Sequence, residues 1–418
     1  MKKIQRLAAY LLCFAFARGM LFASPILLAN LLSSYLYGVV EWAHAAATFI
    51  STIVTLGTSA VIPLILLKNV KEGTVAGVLF HHILLALICF ILVLISLYFE
   101  GDNAVILGAL LTAALALQVL WSTFLKTHGK GEASMWVDSS LFALVALTAA
   151  VSNYLHVLDS FFWIIWAISI YAFCLFYITV IKYSRLRQSG EAIAYQAILI
   201  LGLPLMITTF VTVAVTVSGR LAIGYLGGPL LTADYAALAR VAALPIIAHQ
   251  IMVVAKFRHL FTLPDKQMQQ TITSIIAMVA SSVVVIWAAI PIFGWVFGAA
   301  FTKAFHTYTL PALWILSQSV LWSGISLHDV INTRNQTIAK VLPWSVLFLI
   351  ISALIALFVV QIIGITLANF VYIHGIFMLF FYIAQIIAMH KAGVRLVKAW
   401  TFGVLSYITL IVMFSLLY

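Results

Sequence analysis

The chain divides at its polar breaks into a succession of apolar runs with hardly any connection left between them. A helix that crosses a bilayer needs about 20 mostly apolar residues, and in lipid only helices or closed barrels satisfy their own backbone. Runs at 7–33, 40–66, 75–98, 104–125, 134–152, 161–181, 192–220, 231–256, 270–292, 309–332, 342–360 and 364–389 reach that length, and 400–418 makes a thirteenth. The pattern predicts an all-α polytopic membrane protein. Two successive groups of six spans start on the same side of the membrane, as parallel repeats do. The expected domains are therefore a six-helix bundle over 1–190, a second over 191–392, and an additional helix within 393–418.

Composition agrees: 65% of residues are hydrophobic, 8% are charged, and mean hydropathy is +1.18, far outside the soluble globular range. The net charge of +11 would suggest nucleic acid in a soluble protein, but its distribution points elsewhere. Eighteen of the 22 Lys and Arg residues fall in alternate connections, beginning with Lys2, Lys3 and Arg6. The opposite connections carry Glu100, Asp102, Asp159 and Asp234, with Lys303 as their one clear cation. By the positive-inside rule the N-terminus is cytoplasmic. The opening apolar run and Ala15-Phe16-Ala17 mimic a signal sequence, but the run resumes after Arg18 and reads as an uncleaved first helix.

Cys13, Cys89 and Cys174 each sit in an apolar run without ligand spacing, so they read as small core residues rather than as a disulfide or metal site. No connection is long enough for a catalytic or nucleotide-binding domain, and no Walker A, HExxH or GxSxG sequence occurs. An enzyme is not expected, nor a cofactor, metal or nucleic-acid partner.

Arg18 and Arg240 remain inside spans, and with the boundary residues Arg220 and Lys256 they form the set that topology alone does not explain. An arginine inside a span costs about 2.5–3.5 kcal/mol on insertion scales, so it should face protein or water. Polar stripes at helical spacing accompany these cations. They are Glu41, His44, Thr48, Thr52, Thr55 and Ser59 in the second span; Thr209, Thr212, Thr216 and Arg220 in the seventh; and Ser319, Ser323, Ser326, Asp329 and Thr333 in the tenth. Hydroxyl stripes often only glue helices together, but three that each hold an ionisable group suggest a shared aqueous cavity. Arg240 and His249 point oppositely on a straight helix, and Pro245 between them offers a kink. Glu41, His44, Asp138, His249 and Asp329 are candidates for cavity polarity or for proton or sodium coupling. Asp138 and Asp329 have a plainer reading as partners of inner-mouth lysines.

The chain resembles the Wzx-type polysaccharide flippases, in the polysaccharide transporter branch of the multidrug/oligosaccharidyl-lipid/polysaccharide (MOP) exporter superfamily. The likeness runs over nearly the whole plan. Tyr37-Gly38 leads into the second span, and Leu56-Gly57-Thr58-Ser59 lies within it. The segment Ser218-Gly219-Arg220-Leu221-Ala222-Ile223-Gly224, followed by Ala233-Asp234-Tyr235, is similar to the family's Asp-Arg-hydrophobic-Gly segment, with Gly219 where an acid is common. The Lys126 to Ser134 connection and Phe293-Gly294 also fit.

The resemblance implies a MOP/MATE-like fold of two six-helix bundles around a cavity that opens alternately to either side. It also implies a substrate, an undecaprenyl-pyrophosphate-linked oligosaccharide with its tail among membrane lipids, and a polysaccharide polymerase as partner. Arg18, Arg220, Arg240 and Lys256 would meet the pyrophosphate. The alternatives are a MATE-like drug/cation antiporter, which wants acids deep in its cavity, a lipid II type flippase, and a membrane scaffold whose stripes pack without a cavity.

Overall fold

A computed structural model describes residues 2–67, 75–100, 102–155, 160–188, 195–335 and 337–418; for 2–15, 18, 64, 67, 160, 208, 251, 254–259, 261, 262, 293, 329 and 333 only the backbone is described. Among these residues the regular structure is entirely helical, and ten helical stretches are long and apolar enough to cross a membrane. The chain is a multi-pass membrane protein. It packs as two compact units, Met1–Val213 and Ala214–Tyr418.

The first unit holds α1 (Lys2–Leu31), α2 (Ser34–Val54), α3 (Thr58–Leu67), α4 (Ala76–Tyr98), α5 (Asn103–Thr127), α6 (Gly131–Tyr154), α7 (Ser160–Arg187) and the start of α8 (Tyr195–Thr262). Its centre is α5, which packs on α2, α3, α4, α6 and α7. Buried Ala113, Ala114 and Ala116 let neighbouring backbones approach closely, as small residues do where lipid supplies no hydrophobic drive. Asp102 caps α5 by accepting from the Ala104 amide at 2.8 Å, and Gln118 donates to the Val137 and Asp138 carbonyls of α6, each at 2.7 Å.

The predicted second span, 40–66, is two helices. Leu56 (φ 49°) and Gly57 (φ 67°) lie in the left-handed region and separate α2 from α3. A Cβ on Gly57 would collide with the Gly202 carbonyl of α8, and one on Gly202 with that of Leu56. The two backbones therefore touch, which only glycines permit. The break removes Val54's carbonyl from the helical ladder, and His81 of α4 donates to it through Nε2 at 2.9 Å. The other His81 nitrogen bonds the Tyr195 hydroxyl, and adjacent His82 joins Ser59 Oγ at 3.0 Å to the Val78 carbonyl at 3.0 Å. This buried cluster ties the broken helix to α4 and α8.

The second unit holds the rest of α8, α9 (Asp265–Phe293), a 3-10 turn (Gly294–Phe297), α10 (Gly298–Thr307), α11 (Thr309–Arg334), α12 (Ile338–Ile363), α13 (Leu367–Lys391) and α14 (Val397–Leu417). Helix α8 is interrupted at Gly228 (φ 76°) and folds back there, because Gly219 and Tyr235 touch across the turn. That agrees with the predicted break between the runs 192–220 and 231–256. The segment from Phe293 to Thr307 is not the open connection the sequence pattern suggests: it forms the 3-10 turn and α10. Phe297, Phe301 and Phe305 repeat every four residues and pack their rings, tilted against one another, at 5.0 and 5.5 Å, with the first two buried.

Helix α11 is the centre of this unit, packed on α9, α13 and α14. The thirteenth apolar run forms α14, held by buried Trp400. Trp400 meets the ring of His328 edge-on at 4.4 Å, while Tyr382 stacks on the same ring at 4.9 Å. His328 Nδ1 bonds Gln385 at 2.8 Å, and Gly324 and Gly403 leave the space that Tyr382 fills.

Candidate functional site

The fold-back of α8 builds a cavity of about 260 Å³ inside the second unit. Gly219 matters first: a side chain there would overlap Tyr235, so glycine admits the phenol against the helix. Arg220 follows directly, within electrostatic reach of Tyr235. On the returning limb Tyr235, Ala236, Ala239, Arg240, Ala243 and Ile246 recur at steps of one to four and line one wall. The small alanines leave the volume, and Arg220 and Arg240 both border it.

The opposite wall comes from α11, through Ile315, Gln318, Ser319 and Trp322, and from α13, through His374 and Met378. Both sets follow helical spacing. Trp322 donates its indole N–H to Thr216 Oγ1 at 2.9 Å, joining α11 to α8. His374 makes two bonds, from Nδ1 to Gln318 Oε1 at 3.1 Å and between Nε2 and Ser218 Oγ at 2.9 Å. Gln318 donates its amide to the Val371 carbonyl at 3.3 Å, which sets its oxygen toward His374. Phe370 stacks on His374 at 5.7 Å and meets Tyr235 edge-on at 5.7 Å. Among the described lining residues there is no Asp or Glu. The two arginines, tryptophan, tyrosine and histidine rings and two glutamine amides described there can hold an anion and hydrogen-bond hydroxyl groups.

Of the residues the sequence singles out, Arg220 and Arg240 come together at this cavity. His249 is buried behind it, edge-on to Trp322 at 5.7 Å. Glu41 and His44 lie in α2 of the first unit, Glu41 buried and His44 edge-on to Phe142 at 4.8 Å. Asp138 is paired with Lys126 at 3.0 Å in an exposed position, the plainer of its two readings. The side chains of Arg18, Lys256 and Asp329 lie outside the described residues.

The stripes divide in the same way. Thr48 and Thr52 donate to carbonyls of their own helix, whereas Thr216 and Ser319 face the cavity. Tyr235, Gln318, Trp322 and His374 were not singled out. Gln318 and Trp322 stand one turn apart beside the serine stripe of α11, which is a readable signal; His374, the lone histidine midway along an apolar run, has none.

No protein-family model and no curated protein matches the chain. Among solved structures it matches an inward-facing multidrug resistance MATE family transporter of the MOP superfamily. The match has a TM-score of 0.55 at 15% identity, over 91% of this chain and 94% of that one. The fold is accordingly the MOP/MATE transporter fold.

Proposed function

We propose that this protein is a membrane transporter of the Wzx type. It moves an undecaprenyl-pyrophosphate-linked oligosaccharide from the cytoplasmic to the periplasmic leaflet of a bacterial inner membrane by alternating access. The observation that carries this reading is the placement of Arg220 and Arg240 on one cavity, with no carboxylate among its described lining residues. Two arginines bordering one cavity favour a ligand bearing adjacent negative charges, and guanidinium forks suit phosphate oxygens. Trp322, Gln250 and Gln318 offer the ring and amide groups that sugars use. A drug/cation antiporter, the alternative reading, would need acids in its cavity, and the described lining has arginines and no acid. A proton or sodium ion and a polymerase complete the proposed partners.

The test is to neutralise the arginines separately, Arg220→Gln and Arg240→Gln, at unchanged protein level. Loss of one charge-assisted phosphate contact removes about 1.5–3 kcal/mol, so surface polysaccharide should fall by roughly tenfold or more in each. Unchanged surface polysaccharide in both would remove the cationic cavity from the mechanism. Increased sensitivity to cationic drugs with normal polysaccharide would instead support the antiporter.

A further inference from the structure

We propose that His374 is a proton-binding residue of the cavity, and that an anion entering beside Arg220 and Arg240 takes up one proton on this ring. The inference rests on the reading of the cavity as an anion site and assigns proton binding there to a ring that is not among the coupling candidates of the sequence.

The geometry is a matter of counting hydrogens. Gln318 donates to the Val371 carbonyl, so its oxygen faces His374 and the Nδ1–H donates to it. Flipping the amide would set its oxygen against the Val371 carbonyl, two acceptors face to face. In the neutral ring Nε2 must then accept, and Ser218 turns its hydroxyl hydrogen toward it. Ser218 Oγ also lies 2.9 Å from the Val215 carbonyl of its own helix, so one hydrogen has two acceptors to choose between. Protonation of Nε2 resolves this: the ring donates to Ser218 Oγ, and Ser218 passes its hydrogen to Val215. Both ring N–H groups are then bonded, no donor is buried without a partner, and no heavy atom moves.

The surrounding charges decide when this happens. On α8 the titratable groups facing the cavity with His374 are Arg220, Arg240 and Tyr235; Asp234, next in sequence to Tyr235, is within electrostatic reach of Lys303. From α14, the Tyr407 hydroxyl lies against Gly375. The titratable residues of α11 are His328, Asp329 and Arg334, all at least ten positions beyond Gln318, and α12 has only Lys340, in its first turn. The guanidinium groups of Arg220 and Arg240 border the same cavity as His374. A pyrophosphate bound there adds negative charge beside the ring and favours the proton. By linkage, if binding takes up a proton, affinity rises as pH falls and weakens as pH rises, by up to about tenfold per unit. An electrically costly anion is thus partly neutralised as it moves.

The experiment is calorimetric titration of inorganic pyrophosphate into the purified full-length protein in buffers of different ionisation enthalpy, between pH 6 and 8. Wild type is compared with His374→Gln, so that protonation of pyrophosphate itself cancels. Wild type should take up more protons than the variant, approaching one more, and the variant should show a flatter dependence of affinity on pH. Ser218→Ala keeps the imidazole and removes the acceptor, so it should lower the uptake if His374→Gln folds poorly. Equal uptake in wild type and His374→Gln, with binding still lost in Arg240→Gln, would overturn this proposal and leave the anion site standing. Absence of any Arg240-dependent binding would overturn both.

Discussion

Gly219 and Tyr235 show how a single residue shapes the cavity. Gly219 has only a hydrogen, and the phenol of Tyr235 occupies the space a side chain there would fill. Gly219→Ala forces Tyr235 or the helix aside, an overpacking that costs about 1–3 kcal/mol. A lowered Tm in detergent is expected, with most of the loss recovered in the pair Gly219→Ala, Tyr235→Ala; an unrecovered loss would place the strain elsewhere. Arg220 and Arg240 were legible in the sequence because positive-inside topology explains most other cations and leaves these over. Tyr235 was not, since a tyrosine in an apolar run is ordinary until a glycine sixteen positions earlier is found beneath it. Asp138 illustrates the opposite case: its sequence signal, a carboxylate near a span, belongs to an exposed pair with Lys126, and such pairs contribute about 0–1 kcal/mol.

At the level of elements, the apolar runs predicted the long helices well and their interruptions poorly. The run 40–66 stays apolar through Leu56 and Gly57, so nothing in its hydropathy marks a break. The break exists because Gly57 meets Gly202 backbone to backbone and because His81 receives the carbonyl it releases. Two glycines with nearly the same φ separate these causes. Gly129 (φ 73°) has open space where a Cβ would go, whereas at Gly57 a Cβ strikes the Gly202 carbonyl. Gly129→Ala should cost only the left-handed penalty of about 1–2 kcal/mol. Gly57→Ala should fall well below it in thermal stability and yield, and equal behaviour would show that the close contact is dispensable. Helix α10 is a milder case, since its Phe297, Phe301 and Phe305 have helical spacing in plain view but occupy too short a run to read as a span.

For the molecule as a whole, charge distribution and the packing of α14 lead to a topological expectation. With basic connections inside and thirteen crossings, residue 418 faces the side opposite the N-terminus. In a cysteine-free background, Tyr418→Cys should react with a membrane-impermeant maleimide in intact spheroplasts, and Lys130→Cys only after permeabilisation. The reverse pattern would invert the topology, and labelling of both positions together would remove α14 as a span. The sequence by itself determined the class, the approximate places of the long apolar helices, and the alternation of charge between the connections. It could do so because a bilayer imposes its thickness and charge cost on each segment separately. Only the tertiary structure decided which faces meet. Lipid is as apolar as leucine, so hydropathy does not distinguish the exposed Trp166, Ile170 and Phe173 of α7 from the buried core of α5. For the same reason the meeting of Ser218 with His374, 156 positions apart, is set by small residues and hydrogen-bond geometry that no single run contains.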